Sequence, residues 1–366
     1  MTTSAPPPAR PDPFASDTAR RGLRRGIWTI VAIGAAIGVG LLALGRTQVG
    51  ATAIRDLAAR AHPGMLAGSF FVMTLAFLFM GLRWRALMPA PHRPPGAGLM
   101  AIICAGLLLN YALPGPMGEL GAAWFASRRY KVPLASAIAS GFAARLVGLA
   151  TAAATAALVW AVADLPVPPE YHQLVGAAVI VIGVGGASLA VLVVRPEPYK
   201  RLGHAILGPI AAGGGRLAGV AGRFDDGLAH TADSVAAVAR SRPRAWGRAV
   251  GWSVASHASV VTGVALAALG FGAPLVPAGL LFTYATTTAG AVALFALPGS
   301  QLGWDAMFLT LLNQSAGLAL DEATAVALVV RVHHLLVMIL GALALAWLLR
   351  TGPATTDVPA EAGGQH

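Results

Sequence analysis

The sequence predicts an all-α polytopic membrane protein: six full transmembrane helices plus two re-entrant helical hairpins as an inverted-topology repeat, with both termini cytoplasmic. Three observations predict it. The 366 residues are 56% hydrophobic and only 11% charged, with a mean hydropathy of +0.69. Several apolar runs reach the roughly 20 residues that cross a hydrocarbon core. Arginines cluster in the loops beside those runs, where the positive-inside bias sets orientation. Finally, a Pro-Gly break followed by a carboxylate occurs twice inside apolar sequence: Ala112-Leu113-Pro114-Gly115-Pro116-Met117-Gly118-Glu119, then Ala296-Leu297-Pro298-Gly299-Ser300-Gln301-Leu302-Gly303-Trp304-Asp305.

Apolar runs fall at 27–45, 64–82, 97–113, 134–162, 172–194, 249–270, 278–297, 303–319 and 323–349. Residues 1–26 are rich in Pro, Ala and Arg and are expected as a disordered cytoplasmic N-terminus. Arg20, Arg21, Arg24 and Arg25 hold them inside. No small-x-small cleavage site follows the first run, so it reads as a retained signal anchor. The loop Arg46–His62 is then external, and Arg83, Arg85 and Arg93 return the chain to the cytoplasm after the second run.

Run 97–113 stops at the first break, and a short apolar stretch leads to Arg128-Arg129-Tyr130-Lys131. That stretch is too short to cross and ends in cytoplasmic-type charge. Residues 97–127 therefore read as a hairpin entering and leaving on the cytoplasmic side, its irregular tip buried in protein or lining a cavity. Run 134–162 crosses outward to Asp164 and Glu170, and 172–194 returns. Residues 195–248 read as a cytoplasmic linker with one amphipathic stretch near 216–239 on the membrane surface.

Run 249–270 crosses outward again. Residues 278–319 contain the second break and end at Asp321-Glu322, so they read as a second hairpin, entered from outside. Run 323–349 returns to Arg350, and the polar tail 350–366 is expected to be disordered. One transmembrane domain, 27–349, thus carries a first repeat motif at 97–162 and a second at 278–349. An odd number of crossings between hairpins that do not span makes the repeat inverted, as in many transporters with a midplane site. The expected location is the plasma (inner) membrane.

Composition also excludes classes. The net charge of +11 is accounted for by loop arginines, and no basic face with interleaved aromatics points to nucleic acid. The single cysteine, Cys104, excludes an intramolecular disulfide and reads as a buried, inert thiol. No metal cluster or cofactor motif is present. Gly-x-Ser-x-Gly, Walker and His-Glu-x-x-His sequences are missing too, so the chain is not expected to be an enzyme.

Candidate site residues follow from the repeat. Glu119 precedes Arg145 by 26 positions, Asp305 precedes Arg331 by 26, and the second pair lies 186 residues beyond the first. Ionisable groups at bilayer depth need a partner, a cavity or a function. Each acid is expected in the first turn of a half-helix, where it either complements the helix N-terminus or offers its carboxylate to a cationic group or a proton. Arg145 lies about 11 residues into its run, roughly 17 Å along a helix axis. The arginines read either as structural ion-pair partners, within each half or exchanged between halves, or as a two-point phosphate clamp. His334 follows Arg331 by one turn; His257 and His333 read as packing residues. Asn110 and Asn313-Gln314 flank the breaks and would satisfy freed backbone groups. Residues 283–288 are polar for their depth and would line the same cavity.

Asn110, Pro114, Gly118-Glu119 and Arg145, with Pro298-Gly299, Gly303, the acid Asp305 and then Arg331, resemble the lysylphosphatidylglycerol synthase transmembrane family, also described as flippase-like membrane proteins. The resemblance covers roughly 27–349. It implies a domain that translocates or handles polar lipids, fused in some members to a cytoplasmic aminoacyl transferase. A chain ending at residue 366 has no room for that domain and is expected not to aminoacylate lipid by itself. Three departures bear on substrate more than on architecture. Ala122 and Ala123 stand where the family tends to carry arginine, Ala144 replaces an acid, and Ser300-Gln301 and Asp305 replace Gly-Gly and Glu.

Three functions remain open from the sequence. The leading one is a transporter or flippase for a phosphate-bearing membrane phospholipid or lipid-linked substrate. The others are a non-transporting scaffold for a cell-envelope glycosyltransferase or lipid-modifying enzyme, and an ion-coupled carrier of a small anion.

Overall fold

In the computed structural model, the described residues are 56, 59–89, 93–112, 117–213, 243–294 and 300–351, with single positions between 218 and 236. The run 27–45, both terminal segments, and the break residues Pro114 and Pro298 lie outside them. The described residues form ten labelled helices: α1 (Pro63–Leu87), α2 (Gly96–Ala112), α3 (Met117–Tyr130), α4 (Leu134–Val162), α5 (Pro169–Val194), α6 (Glu197–Ala212), α7 (Pro243–Gly270), α8 (Pro277–Leu294), α9 (Ser300–Gln314) and α10 (Leu320–Arg350). No strand occurs among these residues.

Length separates two kinds of helix. Helices α1, α4, α7 and α10 have 25, 29, 28 and 31 residues and are long and apolar enough to cross a membrane. Helices α2 and α3 have 17 and 14 residues, about 26 and 21 Å of rise, short of the roughly 30 Å core. α9, with 15 residues, is similarly short. An exposed apolar stripe on α10, Val332, Leu336, Ile339 and Leu343, recurs at helical spacing and presents the surface that lipid covers. The protein is a multi-pass membrane protein.

Helices α1 and α7 form the central pair and run antiparallel. His62 N–H donates to Gly270 O at 2.7 Å, Ser69 Oγ to Gly263 O at 2.7 Å, and Ser256 Oγ to Ala76 O at 3.2 Å. Residue numbers therefore fall along α7 as they rise along α1. Around this pair the halves exchange partners: α2 packs on α10, and α8 packs on α4.

The apolar core divides accordingly. Where α1 ends and α7 begins, Trp84, Leu87, Leu99, Phe125, Val132, Ala249 and Leu345 form one cluster holding the α2–α3 hairpin. Where α1 begins and α7 ends, Met73, Val264, Leu280, Phe308, Leu312 and Val326 form another, holding the α8–α9 hairpin. The α2–α3 and α8–α9 pairs thus pack at opposite ends of the central pair.

Local chemistry fixes the hairpin ends. Lys131 takes the left-handed conformation (φ 54°) that closes α3, and the Arg129 guanidinium stacks over Trp347 of α10 at 5.0 Å. In the second half, Asn313 Nδ2 donates to Leu318 O at 2.8 Å, and Gln314 Nε2 to Asn313 Oδ1 at 2.7 Å. These two amides close the turn between α9 and α10. They do not flank the second break as expected, because α9 begins at Ser300 and places them at its far end.

The linker also departs from expectation. The chain turns directly after α5 into the amphipathic helix α6, with Leu202 and Ile206 exposed one turn apart. The described positions from 218 to 236 are helical too and return against α6. Lys200 Nζ pairs with Asp233 at 2.9 Å and His204 Nδ1 with Asp225 at 2.8 Å. Glu197, and then Asp233, hold the Lys200 ammonium pKa above its ordinary value by hydrogen bonding. The expected single stretch at 216–239 is therefore one leg of a helical pair. Pro198 and Pro209 punctuate the first leg and mask its helical pattern in the sequence.

Candidate functional site

The first half-site grows from a close hairpin crossing. Gly118 sits so near α2 that a β-carbon there would meet the backbone oxygen of Gly106. Its N–H, freed at the start of α3, donates to Asn110 Oδ1 at 2.8 Å, the role expected for Asn110. Glu119 then lies in the first turn of α3, where a carboxylate complements exposed backbone N–H groups. Arg145 reaches across from α4 and donates to Glu119 Oε1.

In the second half, Asp305 on α9 pairs with Arg331 on α10. Gly303 precedes Asp305 by two residues. Asp305 lies beyond the first turn of α9, which corrects the expectation of an N-terminal acid. α9 starts at Ser300, immediately after the second Pro-Gly, so the acid falls a turn later than its counterpart. Among the described residues its partner is the arginine alone. Both pairs form within a half; the exchanged pairing is not the one adopted.

The two pairs differ in exposure. Arg145 and Glu119 side chains are 33% and 43% exposed, whereas Arg331 and Asp305 are 7% and 12%. The closed pair is packed by aromatics. The His334 ring meets Trp304 edge-on at 5.6 Å, and Trp304 stacks on Phe308 at 4.8 Å. His334 Nδ1 has no hydrogen-bond partner among the described residues.

A largely apolar pocket formed by α1, α7, α8, α9 and α10 adjoins the second half-site. Phe77, Met80, Val260, Trp304, Phe308 and Val330 line it, with polar groups from Ser256, Tyr284, His333 and His334. Of residues 283–288, Tyr284 lines the pocket, while Thr283, Thr286 and Thr287 are buried away from it. His333 Nε2 meets Thr74 Oγ1 at 3.1 Å, which fits a packing role. His257 Nε2 donates to Gly148 O at 3.0 Å. Since a carbonyl only accepts, Nδ1 is left as the acceptor facing Tyr284 Oη at 3.4 Å.

Arg83 is the residue sequence reasoning missed. It reads as a flanking loop charge, yet it lies within α1 and is 7% exposed. Its side chain reaches Ser253 on α7 at 3.3 Å and is close enough to Glu119, Arg145 and Tyr284 to feel their charges and dipoles. The available signal was Gly148, one turn after Arg145, where the absent side chain leaves room for a guanidinium.

Searches among curated proteins and solved structures return no match. A family model described as the lysylphosphatidylglycerol synthase TM region matches residues 31–341, a span containing both hairpins, both ion pairs and the pocket. The chain belongs to the lysylphosphatidylglycerol synthase transmembrane-region family.

Proposed function

We propose that the protein moves a phosphate-bearing polar lipid across the plasma membrane, working as a six-crossing, two-hairpin inverted repeat. It makes and breaks no covalent bond itself. The observation that carries this reading is the pair of in-register acid–arginine sites, one in each half, with an apolar pocket beside the second. An open pair in one half and a closed pair in the other support an alternating cycle, in which the arginines exchange a carboxylate for the headgroup phosphate. An exposed ion pair at hairpin depth is tolerable where water or a lipid headgroup reaches it, and the apolar pocket suits the part of the lipid next to that headgroup.

The test is reconstitution in liposomes carrying fluorescent phosphatidylglycerol. Wild type should equilibrate the label between leaflets. Arg145→Ala and Arg331→Ala, once shown to be folded and inserted, should each be slower by about tenfold or more, the loss of a charge-assisted contact. Wild-type rates in both variants would sink the assignment. A protein that moves no lipid at all would be the scaffold reading.

A further inference from the structure

Arg83 carries an inference of its own. Its guanidinium lies deep in the bundle, beside Ser253 of α7 and against Gly148 of α4, which itself accepts from His257. A β-carbon on Gly148 would collide with the guanidinium, its carbon 2.9 Å and Nη2 3.1 Å away. α4 therefore lacks a side chain where this arginine sits. The Arg83 hydrogen bond is to a neutral hydroxyl, its Nε has no partner among the described residues, and Glu119 is paired with Arg145. A buried guanidinium without a carboxylate is among the most costly arrangements a fold can hold.

Among the described residues the second half has no counterpart. The position three residues past Arg331, equivalent to Gly148, is His334, whose ring fills the space against Trp304. Among the described residues the second half sets one arginine against one carboxylate. In the first, the buried Arg83 adds a second guanidinium to the Arg145–Glu119 pair. The excess positive charge thus sits in the half whose ion pair is open.

We propose that Arg83 is a further anion-binding residue of this protein, seated by Gly148 to take a phosphate-type oxyanion, with Ser253 as its neutral neighbour. The proposal rests on the site being a polar-lipid site and gives that site an anionic substrate and an asymmetric geometry. The oxyanion belongs either to a phospholipid headgroup or to free phosphate.

The test measures binding, not transport. Purified full-length protein in detergent is titrated with labelled phosphatidylglycerol, with labelled diacylglycerol as the phosphate-free control, and separately with radiolabelled inorganic phosphate. Arg83→Met should weaken binding by about tenfold or more, and Arg83→Lys by less, since the charge stays and the planar fork is lost. Removing an uncompensated buried charge should also leave the melting temperature of Arg83→Met equal to or above wild type. Arg83-dependent binding of phosphatidylglycerol assigns a lipid headgroup; binding of inorganic phosphate alone assigns a free anion. Either outcome supports the site, even if liposomes show no lipid movement, in which case the transport reading falls and this one holds. Wild-type affinity in Arg83→Met, no binding of either probe by wild type, or a variant melting well below wild type would overturn it.

Discussion

Asp305→Asn is expected to destabilise the protein by about 3–5 kcal/mol, read as a large drop in melting temperature in detergent. The substitution keeps the shape but leaves Arg331, 7% exposed, as a buried charge without its carboxylate. A double variant, Asp305→Leu with Arg331→Met, should recover most of that loss, because an apolar pair of similar volume avoids desolvating two ions. Glu119→Gln should cost at most about 1 kcal/mol, since its pair is a third or more exposed and water screens it. The unequal response of two in-register acids is what distinguishes a closed half-site from an open one. Equal losses in the two single variants would contradict that difference.

Gly118→Leu should be nearly as damaging, and for a reason confined to the hairpin. A β-carbon there meets the backbone oxygen of Gly106 and the Asn110 side chain, so the two legs must separate. Overpacking typically costs 1–3 kcal/mol, and loss of the Gly118–Asn110 hydrogen bond adds about 1 more. Glu119 is carried away from Arg145, so lipid movement should fall with stability. Gly121→Ala is the control: its β-carbon would meet only the tip of Leu109, at 2.8 Å, a flexible group that can shift. A Gly118→Leu protein with wild-type melting and transport would show that the close crossing does not position the acid.

Much of this was legible in the sequence. The run 134–162 became a helix with those same limits, because Pro133 and the Asp164-Leu165-Pro166 turn bound it clearly. The pairing of Glu119 with Arg145 and Asp305 with Arg331 follows from the shared register, which puts an acid on the second leg of a hairpin and an arginine on the next long helix. Arg83 was hidden by its own length. An arginine near the end of an apolar run is ordinarily a flanking charge, and only the fold shows its side chain turned inward to Gly148. The late position of Asp305 depends on where α9 starts, which a Pro-Gly break does not define to the residue. Exposure of one pair and closure of the other belong to tertiary packing, which the repeat, by its similarity, conceals.

The claim on which the rest depends is that the two hairpins open to opposite sides of the membrane. The sequence has a single cysteine, Cys104, which is buried, so a Cys104→Ala background allows clean labelling. Lys131 closes the first hairpin and Ala319 follows the second; both are exposed. With a membrane-impermeant maleimide, Ala319→Cys should label in intact cells and Lys131→Cys only after permeabilisation. Labelling of both from the same side would contradict the inverted repeat and, with it, the shared site between its halves.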